Sequence, residues 1–100
     1  MDKVQPHNEA NMRSISALEA RVREILLQSW DPIGIAGVAA AQDEYDQYVK
    51  SIRVMLTTGI SIDDLSAYLA EIETDRMGLK GDPSRARYVA MKLREIARTR

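Results

Sequence analysis

Four stretches of this chain repeat apolar residues at steps of three and four, and a proline or glycine stands between each stretch and the next. That spacing puts side chains on one face of a helix, whereas a strand repeats every second residue. The first stretch runs from about Ser14 to Ser29, with Ile15, Leu18, Val22, Ile25 and Leu26 on one face. Ser16 and Glu19 have the spacing of a capping box, and Ser14 is an alternative cap. Pro32 disfavours helical geometry for Asp31, so this helix should stop near Trp30. The second begins near Asp43, or a turn earlier through Ala39 to Ala41, and turns Tyr45, Tyr48, Val49, Ile52, Met55 and Leu56 inward before Gly59 ends it. The third starts at Ser61, with Asp64 three residues on and Ile60 and Leu65 at the staple positions. Leu65, Leu69 and Ile72 form its stripe, Tyr68 lies beside it, and Gly78 is its stop. The fourth starts at Asp82-Pro83, a cap followed by proline at the first helical position. Val89, Ala90, Leu93, Ile96 and Ala97 line its face.

These segments and their short connections predict an all-α chain: a compact four-helix domain with mainly antiparallel neighbours over residues 13–100, preceded by a disordered tail at 1–12. There is no Phe, so the core must be aliphatic around one Trp and four Tyr. Leu26, Ile52, Leu69 and Leu93, one from each helix, should be buried. Trp30 reads as a partly buried residue with its N–H on a loop carbonyl. Met55 and Met91 read as gap-fillers. The connection from Pro32 to Gln42 opens with Ile33-Gly34-Ile35-Ala36-Gly37-Val38, too apolar for an ordinary loop, and should pack against the core.

The residue inventory narrows the chemistry. With no Cys there is no disulfide, thiolate zinc site or thiol nucleophile. The single His, His7, lies in the predicted tail, where it cannot be held against a nucleophile. No phosphate-cradling glycine loop and no zinc spacing appear. Asp31, Asp43, Glu44 and Asp46 could converge on a divalent ion or share a proton. Helix-start roles for Asp43, Glu44 and Asp46 and a cap or turn role for Asp31 are the preferred reading, and the spacing lacks the glycine and final Glu of a calcium loop. The reading is therefore non-enzymatic, without metal or cofactor. No apolar run approaches the ~18 residues of a membrane span, and no secretory apolar stretch opens the sequence, which points to the cytoplasm.

The net charge of −1 conceals an asymmetry. Residues 31–75 carry nine acids against Lys50 and Arg53, net −7, while residues 76–100 carry eight bases against Asp82 and Glu95, net +6. In one small domain the two regions should lie against each other and partly cancel. Asp43, Glu44 and Asp46 favour the start of the second helix, but Glu71, Glu73 and Asp75 fall near the end of the third, where negative charge is unfavourable.

Trp30-Asp31-Pro32-Ile33-Gly34, followed by Asp43-Glu44-Tyr45-Asp46, Tyr48, Ile52 and Leu56, resembles a domain-of-unknown-function family of small bacterial helical proteins carrying W-D-P-[I/L]-G and D-E-Y-D. The resemblance spans residues 20–77 and continues loosely through the last helix. An Ala-rich approach to Asp43 departs from the pattern, where a proline is more usual. The resemblance implies a compact helical fold without established catalysis. In physical terms the motif suggests a polar clasp. Asp31 would satisfy loop amides, Tyr45 would pack on Pro32 or Trp30, and Asp46 would meet a basic residue of the last helix such as Arg85.

Two functions follow as expectations. The first is a protein-binding module, in concrete form an immunity-type inhibitor that neutralises a toxin. Its acidic face of Glu44, Asp46, Asp63, Asp64, Glu71, Glu73 and Asp75 would dock on a basic protein partner. The alternative is a nucleic-acid-contacting accessory protein using Arg85, Arg87, Lys92 and Arg94. The acidic middle and the single aromatic of the last helix, Tyr88, weigh against it.

Overall fold

Helical periodicity becomes four helices: α1 (Pro6–Ile25), α2 (Asp46–Thr57), α3 (Ile62–Glu71) and α4 (Pro83–Thr99). The computed structural model describes the backbone of residues 6–35, 37, 38, 41 and 43–99, and the side chains of that set from 15 to 98. Among them the chain is all-α, a compact four-helix domain. None of its helices is long and apolar enough to cross a membrane. Two helices do not end as plain α-helix. After α1 the turn Leu26–Trp30, and after α3 the turn Ile72–Arg76, is π-helical. Each closes on a five-residue step: the Asp31 N–H donates to Leu26 C=O at 2.8 Å, and the Met77 N–H to Ile72 C=O at 3.0 Å.

The caps act largely as their residues imply. Ser61 accepts a hydrogen bond from the Asp64 N–H at 3.0 Å, and Asp82 accepts one from the Arg85 N–H at 3.1 Å. At the end of α2 the Ile60 N–H reaches Met55 C=O and the Gly59 N–H reaches Leu56 C=O. This paired arrangement needs the left-handed backbone that Gly59 adopts, at φ +88°.

α4 is the hub. It packs against α1, α2 and α3, with α3 its largest neighbour, while α1 and α2 pack on each other. Its inner face, Ala86, Val89, Ala90, Leu93 and Ile96, is buried. Small residues at 86 and 90 let neighbouring helices approach closely. Leu26, Ile52, Leu69 and Leu93 are all completely buried, as the stripes imply.

Five expectations need correction. α1 begins at Pro6, well before Ser14, so part of the assigned tail is helical and Ser16 and Glu19 lie inside the helix rather than at its cap. Proline suits a first helical position, and apolar periodicity detects only the buried stretch of a helix. Residues 1–5 and the side chain of His7 lie outside the described residues. α2 begins at Asp46, which leaves Asp43 and Glu44 in the turns before it; Ala39 and Ala40 are also outside the described residues. Among its described residues the loop does not bury its large apolar side chains: Ile33 is 42% and Val38 49% exposed, and Ile35 packs partly on the core. Met91 fills no gap and is 50% exposed. Ile15 sits at the fringe of the α1 stripe, 37% exposed.

Leu69 is a fully buried residue of α3, the helix that packs most extensively on α4. Its truncation to Ala should cost roughly 2–5 kcal/mol, since both the transferred surface and the cavity count. Urea titration of Leu69→Ala checks this, and a cost below about half a kcal/mol would place the residue outside the core.

Candidate functional site

Trp30 ends the first π-helical turn with no solvent exposure. An indole is large and apolar but carries one N–H that must find an acceptor when buried. The acceptor is not a loop carbonyl. The N–H donates to Glu73 Oε2 across 2.6 Å. Glu73 belongs to the second π-helical turn and is itself 1% exposed. Its other carboxyl oxygen, Oε1, accepts from the backbone N–H of Asp82 at 2.8 Å. Its backbone C=O accepts from the Leu79 N–H at 2.8 Å. None of the ion pairs among the described residues involves Glu73, so directed N–H donors hold this carboxyl.

The ring of Trp30 completes the junction. Tyr45 lies tilted against it, centroids 5.3 Å apart, and Tyr48 meets it edge-on at 6.2 Å. Arg76 closes the outer side, its guanidinium carbon 6.0 Å from the Tyr48 ring centre. The cluster thus joins the end of α1, the approach to α2 and its first turn, the end of α3 and the cap of α4. Gly81 is part of the fit. Its φ is +90°, and a Cβ there would come within 3.1 Å of Thr74 Cγ2.

Above this interior sits a polar clasp. Asp31 takes a left-handed backbone at φ +35°, which Asp tolerates better than most residues. Asp31 Oδ1 accepts from the Ile35 N–H at 2.7 Å and from the Tyr45 hydroxyl at 2.8 Å. The Tyr45 oxygen in turn accepts from the Ile33 N–H at 3.2 Å. The first residues of the apolar loop are thereby tied to Tyr45 and Asp31. From there the chain advances by three-residue steps: Val38 N–H to Ile35 C=O, Ala41 to Val38, Glu44 to Ala41, and Asp46 to Asp43. Burial, the largest influence, pushes the Tyr45 phenol above its ordinary range. Its bond to Asp31 adds to this, and the Ile33 N–H works against it.

The motif clasp expected from the sequence is present in two of its three parts. Asp31 serves loop amides and Tyr45 packs on Trp30. Asp46 does not meet Arg85. It holds Arg23 of α1 through two bonds, at 2.6 and 3.1 Å. α2 packs beside α1 at this level, and no apolar pattern announces such a pair.

The seven residues of the expected acidic face separate. Glu73 is interior and unavailable to any partner. Position 73 lies four residues after Leu69 and eight after Leu65, on the apolar stripe, which is the signal that would have placed it inside. Asp46 is held by Arg23, and Asp63 by Arg87 at 2.6 Å. Asp75 accepts only from the neighbouring Thr74 hydroxyl, at 3.3 Å. Glu44, Asp64, Glu71 and Asp75 are exposed and in no ion pair among the described residues.

On α4, Arg85 leans on Asp82 at 3.6 Å, Arg98 on Glu95 at 4.0 Å, and Lys92 lies 5.4 Å from the centre of the Tyr88 ring. Asp63 with Arg87 is the only ion pair among the described residues that joins the acidic middle to the basic end. α3 and α4 pack together more extensively than any other pair of helices, and this ion pair is formed between them. Asp31, Asp43, Glu44 and Asp46 do not gather. Among the described residues no group of three or more carboxylate or imidazole side chains comes together as a metal site would need.

No family model, no curated protein and no solved structure matches this chain.

Tyr45 generates a pH prediction. Its folded pKa lies above the unfolded value of about 10, so beyond that pH the unfolded chain releases a proton that the folded chain keeps. Stability should be undiminished below this range and fall as pH rises through it. Ultraviolet titration should show tyrosine absorbance that resists ionisation until the chain unfolds, and Tyr45→Phe should reduce that resistant fraction. Full ionisation of all tyrosines in the folded protein would contradict the buried clasp.

Proposed function

We propose that this protein is a non-catalytic protein-binding module that takes a basic protein partner, in its most concrete form an inhibitor that neutralises a toxin by binding it. One observation carries the reading. Ile33 and Val38 face solvent, 42% and 49% exposed, on a loop whose base is fastened by Asp31 and Tyr45. Exposed apolar side chains on a flexible loop would lose much of their contact energy in being ordered. Here the Ile33 and Ile35 N–H groups are already held by Tyr45 and Asp31, so ordering at this part of the loop precedes a partner.

Asp43 and Glu44 follow Val38 along the same series of turns and supply an acidic rim. Asp64, Glu71 and Asp75 add exposed carboxylates on α3. The division of labour is familiar from protein interfaces: apolar anchors set residence time, and rim charges steer encounter. Asp46 and Asp63 have partners within the chain and contribute less to the rim, and Glu73 contributes nothing to it.

Binding to the product of the adjacent upstream gene, followed by surface plasmon resonance, tests this reading. The partner should be basic, and association should slow as salt rises. Ile33→Asp with Val38→Asp should weaken binding by at least about tenfold. Glu71→Lys with Asp75→Lys should slow association and flatten its salt dependence while the circular-dichroism spectrum stays unchanged. An acidic partner, or a basic one indifferent to both pairs of substitutions, would contradict the proposal.

A further inference from the structure

The outer face of α4 carries exposed apolar side chains. Tyr88 is 55% and Met91 50% exposed, one helical turn apart, the two most exposed large apolar side chains among the described residues. Around them stand Arg87, Lys92, Arg94 and Arg98, with Glu95 the one acid of this helix. An apolar centre with a basic rim fits an occupant with an apolar centre and an acidic rim. Two α4 helices facing each other would oppose Arg and Lys with Arg and Lys, so a symmetric pairing of this face with itself is disfavoured.

A matching surface is present in the same chain. It is the loop that presents Ile33 and Val38 and runs on through successive turns to the exposed Asp43 and Glu44. The molecule's charges leave that match open. The acidic middle is net −7 and the basic end net +6, yet among the described residues only Asp63 and Arg87 bridge them. With a total of −1, two copies meet without appreciable net repulsion. We infer that the Tyr88–Met91 face of α4 is a docking surface for the acidic loop of a second copy of this chain, in a head-to-tail contact. The inference rests on the loop being a surface for basic partners and names one such partner, the chain's own last helix. A contact of this type joins two different patches, so each copy keeps one free patch and assembly continues until a ring closes or partners run out.

Sedimentation velocity over a concentration series at low and high salt tests this directly. The weight-average mass should rise with concentration at low salt and return toward the monomer as salt screens the rim charges. Met91→Glu spoils the α4 face, and Glu44→Lys with Val38→Asp spoils the loop. Both sites are exposed, so the fold should persist, and circular dichroism verifies it. Each variant alone should be monomeric, and their mixture should form a dimer of one copy of each, because one retains a good loop and the other a good α4.

A wild-type chain that stays monomeric at every concentration and low salt overturns the inference and leaves the reading of the loop as a site for other basic proteins standing. Assembly that persists in both variants, or a mixture that stays monomeric, overturns it as well. Titration with a fluorescent single-stranded RNA is the control for the other polyanion that could use this face. Tight binding lost in Tyr88→Ala, with no self-association, would assign the face to nucleic acid instead.

Discussion

A carboxyl group without solvent is tolerated only where hydrogen bonds replace the water it has lost. Glu73 meets that condition with two donors from distant parts of the chain, the indole N–H of Trp30 and the backbone N–H of Asp82. The requirement runs both ways. The buried indole N–H needs an acceptor, and the first residue ahead of α4 needs one too. A single side chain therefore fixes the end of α1, the end of α3 and the start of α4 relative to one another. Tyr45 and Tyr48, packed on the Trp30 ring, bring in α2. The aliphatic stripes of the four helices supply bulk burial, which is nondirectional. The carboxyl and its two donors supply direction, so they define how the stripes meet.

The π-helical turns belong to this junction. Each adds a residue to the last turn of a helix, and one contains Trp30 while the other contains Glu73. π-helical turns often accompany specialised sites in helices. Here they stand on both sides of one hydrogen bond. On the outside of the junction Asp31 and Tyr45 fasten the apolar loop. The two polar arrangements lie back to back, joined through adjacent residues Trp30 and Asp31 and through Tyr45, which packs on one and bonds to the other. Interior packing is in this way coupled to the posture of the exposed Ile33 and Val38.

Much of the fold is legible in the sequence because it follows from local rules. Stripes at steps of three and four identify the buried faces, Ser61 and Asp82 identify caps, and Gly59 identifies a stop. What escapes is long-range or depends on reading a charge as interior. Glu73 looks like one of several surface acids, although its position continues the stripe of Leu65 and Leu69. The Arg23–Asp46 pair joins residues on two helices with no sequence relation. The polar opening of α1 has no apolar period to announce it. The loop is misjudged for a different reason. Apolar composition suggests burial, yet the Asp31–Tyr45 clasp satisfies the N–H groups of Ile33 and Ile35, and Ile33 and Val38 stay outside. Of the expected binding residues, Glu44, Asp63, Asp64, Glu71 and Asp75 remain on the surface, whereas Glu73 belongs to the interior.

Trp30 and Glu73 act as one unit. A double-mutant cycle of Trp30→Phe, which keeps a large ring but removes the N–H, with Glu73→Gln, which keeps the shape but changes the acceptor, measures it through urea unfolding. Residues in direct contact through a buried bond should show a coupling of about 0.5–3 kcal/mol. The account predicts a value in that range, with the single substitutions each destabilising and the pair costing less than their sum. Strict additivity, or single substitutions that leave stability unchanged, would contradict it.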